Sequence, residues 1–278
     1  MPTNGLSLVG FITDQQQALT HLKTGCVPGT KTDAQLMADW QTAQVNLGQP
    51  VLNAGKPSIR PIPASHRAYI QQLLQSAGVV QDPSLQSVAC EQVEIEPLLA
   101  YQFYVDTDRS TQHCANLSRP PTLDELLNLC LPLAAPAESI TGVGQPTSAV
   151  LKSPSLNVRV MAGGILAQGI AGVRFGVASP LVHVTVYNGR YYLHNGFHRA
   201  FGAQQAGATH IPAIIRNVND ALSAGIQSDG STFSEQLLTS ANPPTMAHFT
   251  QSNALAVQIR RFSRMIHLSW AEYAIPEE

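Results

Sequence analysis

The sequence predicts an α+β protein: a small mixed β-sheet with packed helices, an N-terminal helical extension and a C-terminal helix and strand. Three observations predict it. Leu181 to Tyr187 alternates, with Val182, Val184 and Val186 on one face and His183, Thr185 and Tyr187 on the other. Asn188-Gly189 then marks a two-residue type I′ turn, and Arg190 to His194 returns as the partner strand. Past this hairpin come a glycine loop, a short helix and a further strand, so helical and extended segments mix within one stretch.

The elements can be justified in order. Asp14 caps a short helix ending near Gly25. Thr32 caps a second, with Leu36, Trp40, Ala43 and Leu47 at helical spacing and Gly48 after it. Residues 53–63 read as an extended linker. Ser65 is the expected cap of a third helix, with Ile70, Leu73, Leu74 and Ala77 as its apolar stripe and Gly78 as its stop. A strand is expected near Val93 to Ile95 and an extended piece at Tyr101 to Val105. Thr122 and Glu125 form a capping box for a helix over 123–133. A strand is expected near 157–161, and the glycines after it suit close packing or a loop; they match neither a Walker A nor a GxGxxG pattern.

After the hairpin, a helix over 197–206 should bury Phe197, Ala200 and Phe201 and stop at Gly207. His210 to Ile215 is a strand, and its Pro212 suits an edge or a strand start. A last helix is expected to begin near Thr245 and to include Phe249, Leu255 and Ile259, with Arg260, Arg261 and Arg264 near its end. Ile266, Leu268 and Trp270 alternate as a final strand.

Composition narrows the function classes. Apolar residues make up 44% of 278, as in a globular protein with a core. Charged residues are only 12%, about half the usual share. A net charge of −2 and no basic tail argue against a strong polyanion binder. No apolar run reaches the roughly 18 residues of a membrane span, and no secretory leader is evident, so a cytoplasmic protein is expected. Cys26, Cys90, Cys114 and Cys130 lack CxxC spacing and read as reduced thiols. Charge is uneven, however. Asp82 to Glu138 holds nine acids and two bases, whereas residues 139–219 hold no carboxylate but six cations: Lys152, Arg159, Arg174, Arg190, Arg199 and Arg216. That imbalance predicts a positive local potential.

Within it lies the loop 195–199. A helix N-terminus presents unpaired N–H groups and partial positive charge, so it attracts phosphate or carboxylate. Gly196 permits close backbone approach, and Arg199 is suited to a bidentate phosphate contact. His198 suits a donor or an acid–base role near neutral pH. Asn195 is placed to cap the helix or to meet a ligand hydroxyl.

The run NGRYYLHNGFHRAFGAQQAGATHIPAII resembles the signature of the ParB/sulfiredoxin-like superfamily. There a strand hairpin leads to a glycine loop ending in His-Arg or Arg-Arg, then a helix and a short strand with a proline. The resemblance covers residues 181–216 and, more weakly, 93–133. It implies a ParB/sulfiredoxin-like domain over 89–220 with an insertion at 139–178, flanked by a helical extension at 1–88 and a helix and strand at 221–278. It also implies a nucleotide, ATP or CTP, with or without Mg2+, at a ligand loop of Asn195, Gly196, Phe197, His198 and Arg199. Three departures bear on chemistry. Phe197 stands where sulfiredoxins carry the redox Cys, which removes that activity. Phe197-His198-Arg199 replaces the Glu-Arg-Arg of partition ParB proteins, and no helix-turn-helix follows. Asn195 replaces an Asp found in kinase-like and nuclease-like members, so a base or metal ligand must come from Glu94, Glu96, Asp106 or Asp108. His198, Glu94 and Glu96 are the catalytic candidates. Three functions follow: nucleotide-dependent phosphoryl transfer or hydrolysis, a non-catalytic nucleotide-sensing module, or a ParB-like DNA-binding or nuclease protein, the last not favoured.

Overall fold

The computed structural model describes residues 2–27, 29–76, 79, 88–134, 140–145, 147–153, 158–167, 170–177, 180–227, 229–250 and 252–273. In chain order the elements begin with β1 (Thr3–Ser7), α1 (Gln15–Thr24), α2 (Asp33–Val45), β2 (Ile59–Pro61), α3 (Arg67–Leu74), β3 (Ala89–Glu94), β4 (Tyr104–Asp106), α4 (Thr107–His113) and α5 (Leu123–Cys130). They continue with β5 (Thr141–Gln145), β6 (Ser148–Ser153), β7 (Val158–Ala167), β8 (Ile170–Val177), β9 (His183–Tyr187), β10 (Arg190–Asn195), α6 (Phe197–Gln205), β11 (His210–Asn217), α7 (Ala221–Ala224), α8 (Glu235–Leu238), β12 (Leu255–Ile259) and β13 (Arg264–Ser269). Helices packed with several small sheets, one of them mixed, make this the α+β class.

Contacts divide the chain into two units. The first is Met1–Leu133 with Pro180–Arg261, and the second is Ala134–Ser179 with Phe262–Glu278. The first unit holds a five-stranded sheet, β10-β9-β11-β3-β2, and a three-stranded sheet, β12-β1-β4. In the larger sheet only β9 and β11 run parallel; the other pairs are antiparallel. Its core draws on Leu98, Leu99, Val93, Val184, Leu193 and Ile214, all shielded from solvent. The second unit holds the sheet β13-β6-β5 and the β7–β8 hairpin.

The capping residues behave as the sequence predicts. Asp14 accepts from the Gln17 N–H, and Thr32–Gln35 and Thr122–Glu125 form capping boxes. Asn188 and Gly189 take φ of +50° and +70°, the left-handed values a type I′ turn needs.

Other expectations are corrected. Residues 1–88 are not a separate helical extension, because β1 is the middle strand between β12 and β4. The helix expected across 245–259 is a single 3-10 turn, Met246–His248, followed by a strand. Alternating burial along β12 and its antiparallel pairing with β1 override the helical spacing. Ser65 does not cap α3: it lies in a 3-10 turn, Ala64–His66, and its hydroxyl meets His66 Nδ1 at 3.1 Å. The glycine stretch after 161 is the β7–β8 hairpin. Pro212 sits in a central strand, yet β9 joins β11 only from Ile214, so Pro212 has one strand neighbour, β3. Ala77 and Gly78 lie outside the described residues.

Candidate functional site

The hairpin β9–β10 delivers the chain to the loop with a register shift between Leu193 and Asn195. Gly196 follows with φ +99°, and a Cβ there would lie 2.7 Å from Val182 Cγ2. Only glycine fits both demands. Gly196 is the N-cap of α6, and no side chain caps it; no acidic residue stands in the first turn. The first α-helical bond is Ala200 N–H to the Gly196 carbonyl at 2.8 Å. The N–H groups of Phe197, His198 and Arg199 therefore precede the helical ladder.

The side chains of the loop divide by direction. Asn195 does not cap the helix; its Nδ2 donates to the Leu181 carbonyl at 3.0 Å and ties the loop to the strand entry. Phe197 is buried, edge-on to Tyr101 at 5.5 Å. His198 keeps partial exposure, and its Nδ1 accepts from the Asp106 N–H at 3.2 Å. A main-chain N–H can only donate, so the His198 proton sits on Nε2. Burial, and next the charge of Arg109, lower its pKa to about 4, against the opposing pull of Asp106. His198 is therefore neutral at physiological pH.

Arg199 points inward. It is 9% exposed, and Nη1 donates to the carbonyls of Leu129 at 3.3 Å, Cys130 at 3.4 Å and Pro180. The first two are the last carbonyls of α5, which carry the helix's partial negative charge. Nη2 lies beneath the loop, 3.3 Å from where a Gly196 Cβ would stand. The bidentate phosphate contact expected of Arg199 is thus replaced by a clamp between α5, the start of β9 and the loop.

The same arrangement recurs. Arg190 donates to the carbonyls of Leu238 and Thr239 at the end of α8, at 2.9 and 3.0 Å. Arg216 donates to Ser223 O at 3.1 Å, and Arg260 to Cys26 O at 2.8 Å. Ion pairs among the described residues are Lys23–Asp33, Lys31–Asp39 and His66–Asp124, none with an arginine. Arg190, Arg199 and Arg216 keep their charge, but main-chain carbonyl dipoles rather than carboxylates partly offset it.

The acidic candidates do not gather at the loop. Glu94 accepts from the Ser58 N–H at 2.9 Å, which holds its carboxyl below the usual range. It pairs with His210, four residues along β11 from Ile214, whereas Asn195 is level with His183 and Ile214. Four residues of strand are roughly 13 Å. Glu96 meets Gln204 Nε2 at 3.4 Å, near the far end of α6. Neither stands with His198, so the trio expected to be catalytic is not assembled. Asp108 is spent on Asn4, at 2.9 Å to its N–H. Asp106 does reach His198 through its N–H, but its carboxylate takes Thr3 Oγ1 at 2.9 Å and the Arg109 N–H at 2.8 Å. Among the described residues no three His, Cys, Asp or Glu side chains are placed to hold a metal ion.

Arg109 escaped the sequence reading. It is exposed on α4, and its charge reaches His198 only because α4 packs on α6. No local motif announces that approach.

Against known families, the ParB N-terminal domain matches residues 157–228. The match includes β9, β10, the loop, α6 and β11, and it begins at 157, inside the segment first set aside as an insertion. The chain thus carries a ParB-like domain, consistent with a ParB/sulfiredoxin-like superfamily. No curated protein and no solved structure matches. No helix among the described residues is long and apolar enough to cross a membrane.

Proposed function

We propose that this ParB-like protein binds a nucleotide or another phosphate-bearing ligand at the loop 195–199. The observation that carries the reading is the uncapped N-terminus of α6 behind a left-handed Gly196. Three N–H groups stand ahead of the helical ladder there, no carboxylate occupies the first turn, and the Arg199 charge lies beneath. Phosphate is the ligand class such a terminus favours. The side chains contribute differently from the backbone. His198 offers an Nε2–H donor, and Asn195 and Arg199 hold the loop's shape.

Turnover is not part of the proposal: among the described residues the carboxylate that acts on His198, that of Asp106, is already taken by Thr3 Oγ1 and the Arg109 N–H. Binding as a sensor is the reading the geometry supports best. A second reading, contact with DNA, is favoured by the ParB N-terminal domain match. Thermal-shift measurements with ATP, CTP, GTP and orthophosphate, with and without magnesium, test the first reading. A rise in Tm with at least one of them is expected, and a ligand at 100 Kd should add about 2.7 kcal/mol. No stabilisation by any of the four would refute it. DNA affinity that falls steeply with salt would instead support the second.

A further inference from the structure

Basic groups gather in the seam between α4 and the first turn of α6. Arg109 is exposed, and its Nε donates to His113 Nε2 at 3.3 Å. His113 is therefore neutral, with its proton on Nδ1. His198 faces it from the other helix, neutral, with its proton on Nε2 because Asp106 N–H occupies Nδ1. Arg199 closes the cluster from below through its carbonyl clamp.

These groups feel one another. The charges of Arg109 and Arg199 both oppose protonation of His113 and of His198, and Arg109 also opposes the charge on Arg199. Among the described residues Asp106 is the carboxylate acting on the two imidazoles, and its oxygens accept from Thr3 Oγ1 and the Arg109 N–H. Neither arginine makes an ion pair among the described residues, and the Nη groups of Arg109 have no hydrogen-bond acceptor there. Like charges held in a partly desolvated seam are unfavourable until an anion joins them.

We propose that this seam seats a phosphoryl dianion, held by the Arg109 fork with the His198 Nε2–H as a flanking donor, while His113 Nε2 orients the guanidinium. The assignment rests on the reading that the loop 195–199 receives phosphate, and it moves the cationic contact from Arg199 to Arg109. A guanidinium fork matches two oxygens of a phosphoryl group, and a single donor suits the third. The dianion is a free phosphate or the terminal phosphate of a nucleotide.

Calorimetric titration with orthophosphate, pyrophosphate and ATP tests this on the wild type and on Arg109→Ala, Arg109→Lys and His113→Ala. Arg67→Ala, at the start of α3, controls for loss of one positive charge. Arg109→Ala should weaken binding by at least about tenfold, since charged hydrogen bonds of this kind are lost. Arg109→Lys should fall between, because an ammonium keeps the charge and loses the fork. Arg67→Ala should bind as the wild type does. Equal loss across all three ligands would support a free phosphate, and a loss confined to ATP would support a nucleotide's terminal phosphate. Wild-type binding that Arg109→Ala leaves unchanged would overturn this assignment and leave the loop reading standing. A wild type that binds none of the three would overturn both. Arg109 is exposed, so the unliganded Tm of its variants should match the wild type and keep the comparison clean.

Discussion

The guanidinium of Arg199 sits where a helix ends, and that position sets what its loss should do. Arg199→Ala would leave the carbonyls of Leu129 and Pro180 without their guanidinium donor, while Cys130 O would keep the Val182 N–H. Unsatisfied buried acceptors cost about 1–3 kcal/mol each. Urea unfolding of the ligand-free variant should therefore show a loss of roughly 2–4 kcal/mol. Unchanged stability, with phosphate affinity alone reduced, would mean that Arg199 is a ligand after all. The imidazoles give a second residue-scale expectation. Burial lowers His21, His198 and His248 to about 4 from the ordinary 6.5. Each is neutral in the folded state and takes a proton more readily when unfolded. Their contribution is complete above pH 6.5 and is lost as pH falls toward 4. Tm should accordingly decline between pH 6.5 and 4.5, and a flat profile over that window would contradict these assignments.

Among the elements, the packing of α4 on α6 places the site. Gly202 makes it possible, because a Cβ there would run into Cys114 Sγ and stand 3.0 Å from the Ser110 carbonyl. Gly202→Ala should cost about 1–3 kcal/mol by overpacking and should weaken phosphate binding by spreading the seam. A variant of wild-type stability and affinity would show that the seam is looser than described. This contact was invisible in the sequence, where Gly202 and Cys114 lie far apart. What was legible were the local devices: the Asn188-Gly189 turn, the helix caps at Asp14, Thr32 and Thr122, and the glycine that opens α6. Residues 255–259 were misread because Leu255 and Ile259 fit a helical stripe, while the partner that makes them a strand, β1, lies at the other end of the chain. The six cations without a carboxylate were counted correctly, yet their meaning changed. A sequence shows which carboxylates are missing but not which helix ends will take their place.

Across the whole molecule, the chain is organised as two units, and the matched residues 157–228 draw on both. The family resemblance was readable from one stretch because its turn, glycine loop and proline strand are contiguous. The division into units was not, since strands from residues 1–88 and 221–278 complete a sheet with Tyr104–Asp106. The central claim concerns one place in this architecture, the start of α6. Backbone amide shifts recorded while ATP or orthophosphate is titrated in examine it most directly. The account predicts that the amides of Gly196, Phe197 and His198 move most, with Arg109 close behind. Saturable shifts that leave these residues untouched and appear elsewhere, such as in the cleft of about 1230 Å³ lined by Leu36, Phe201 and Val257, would contradict it.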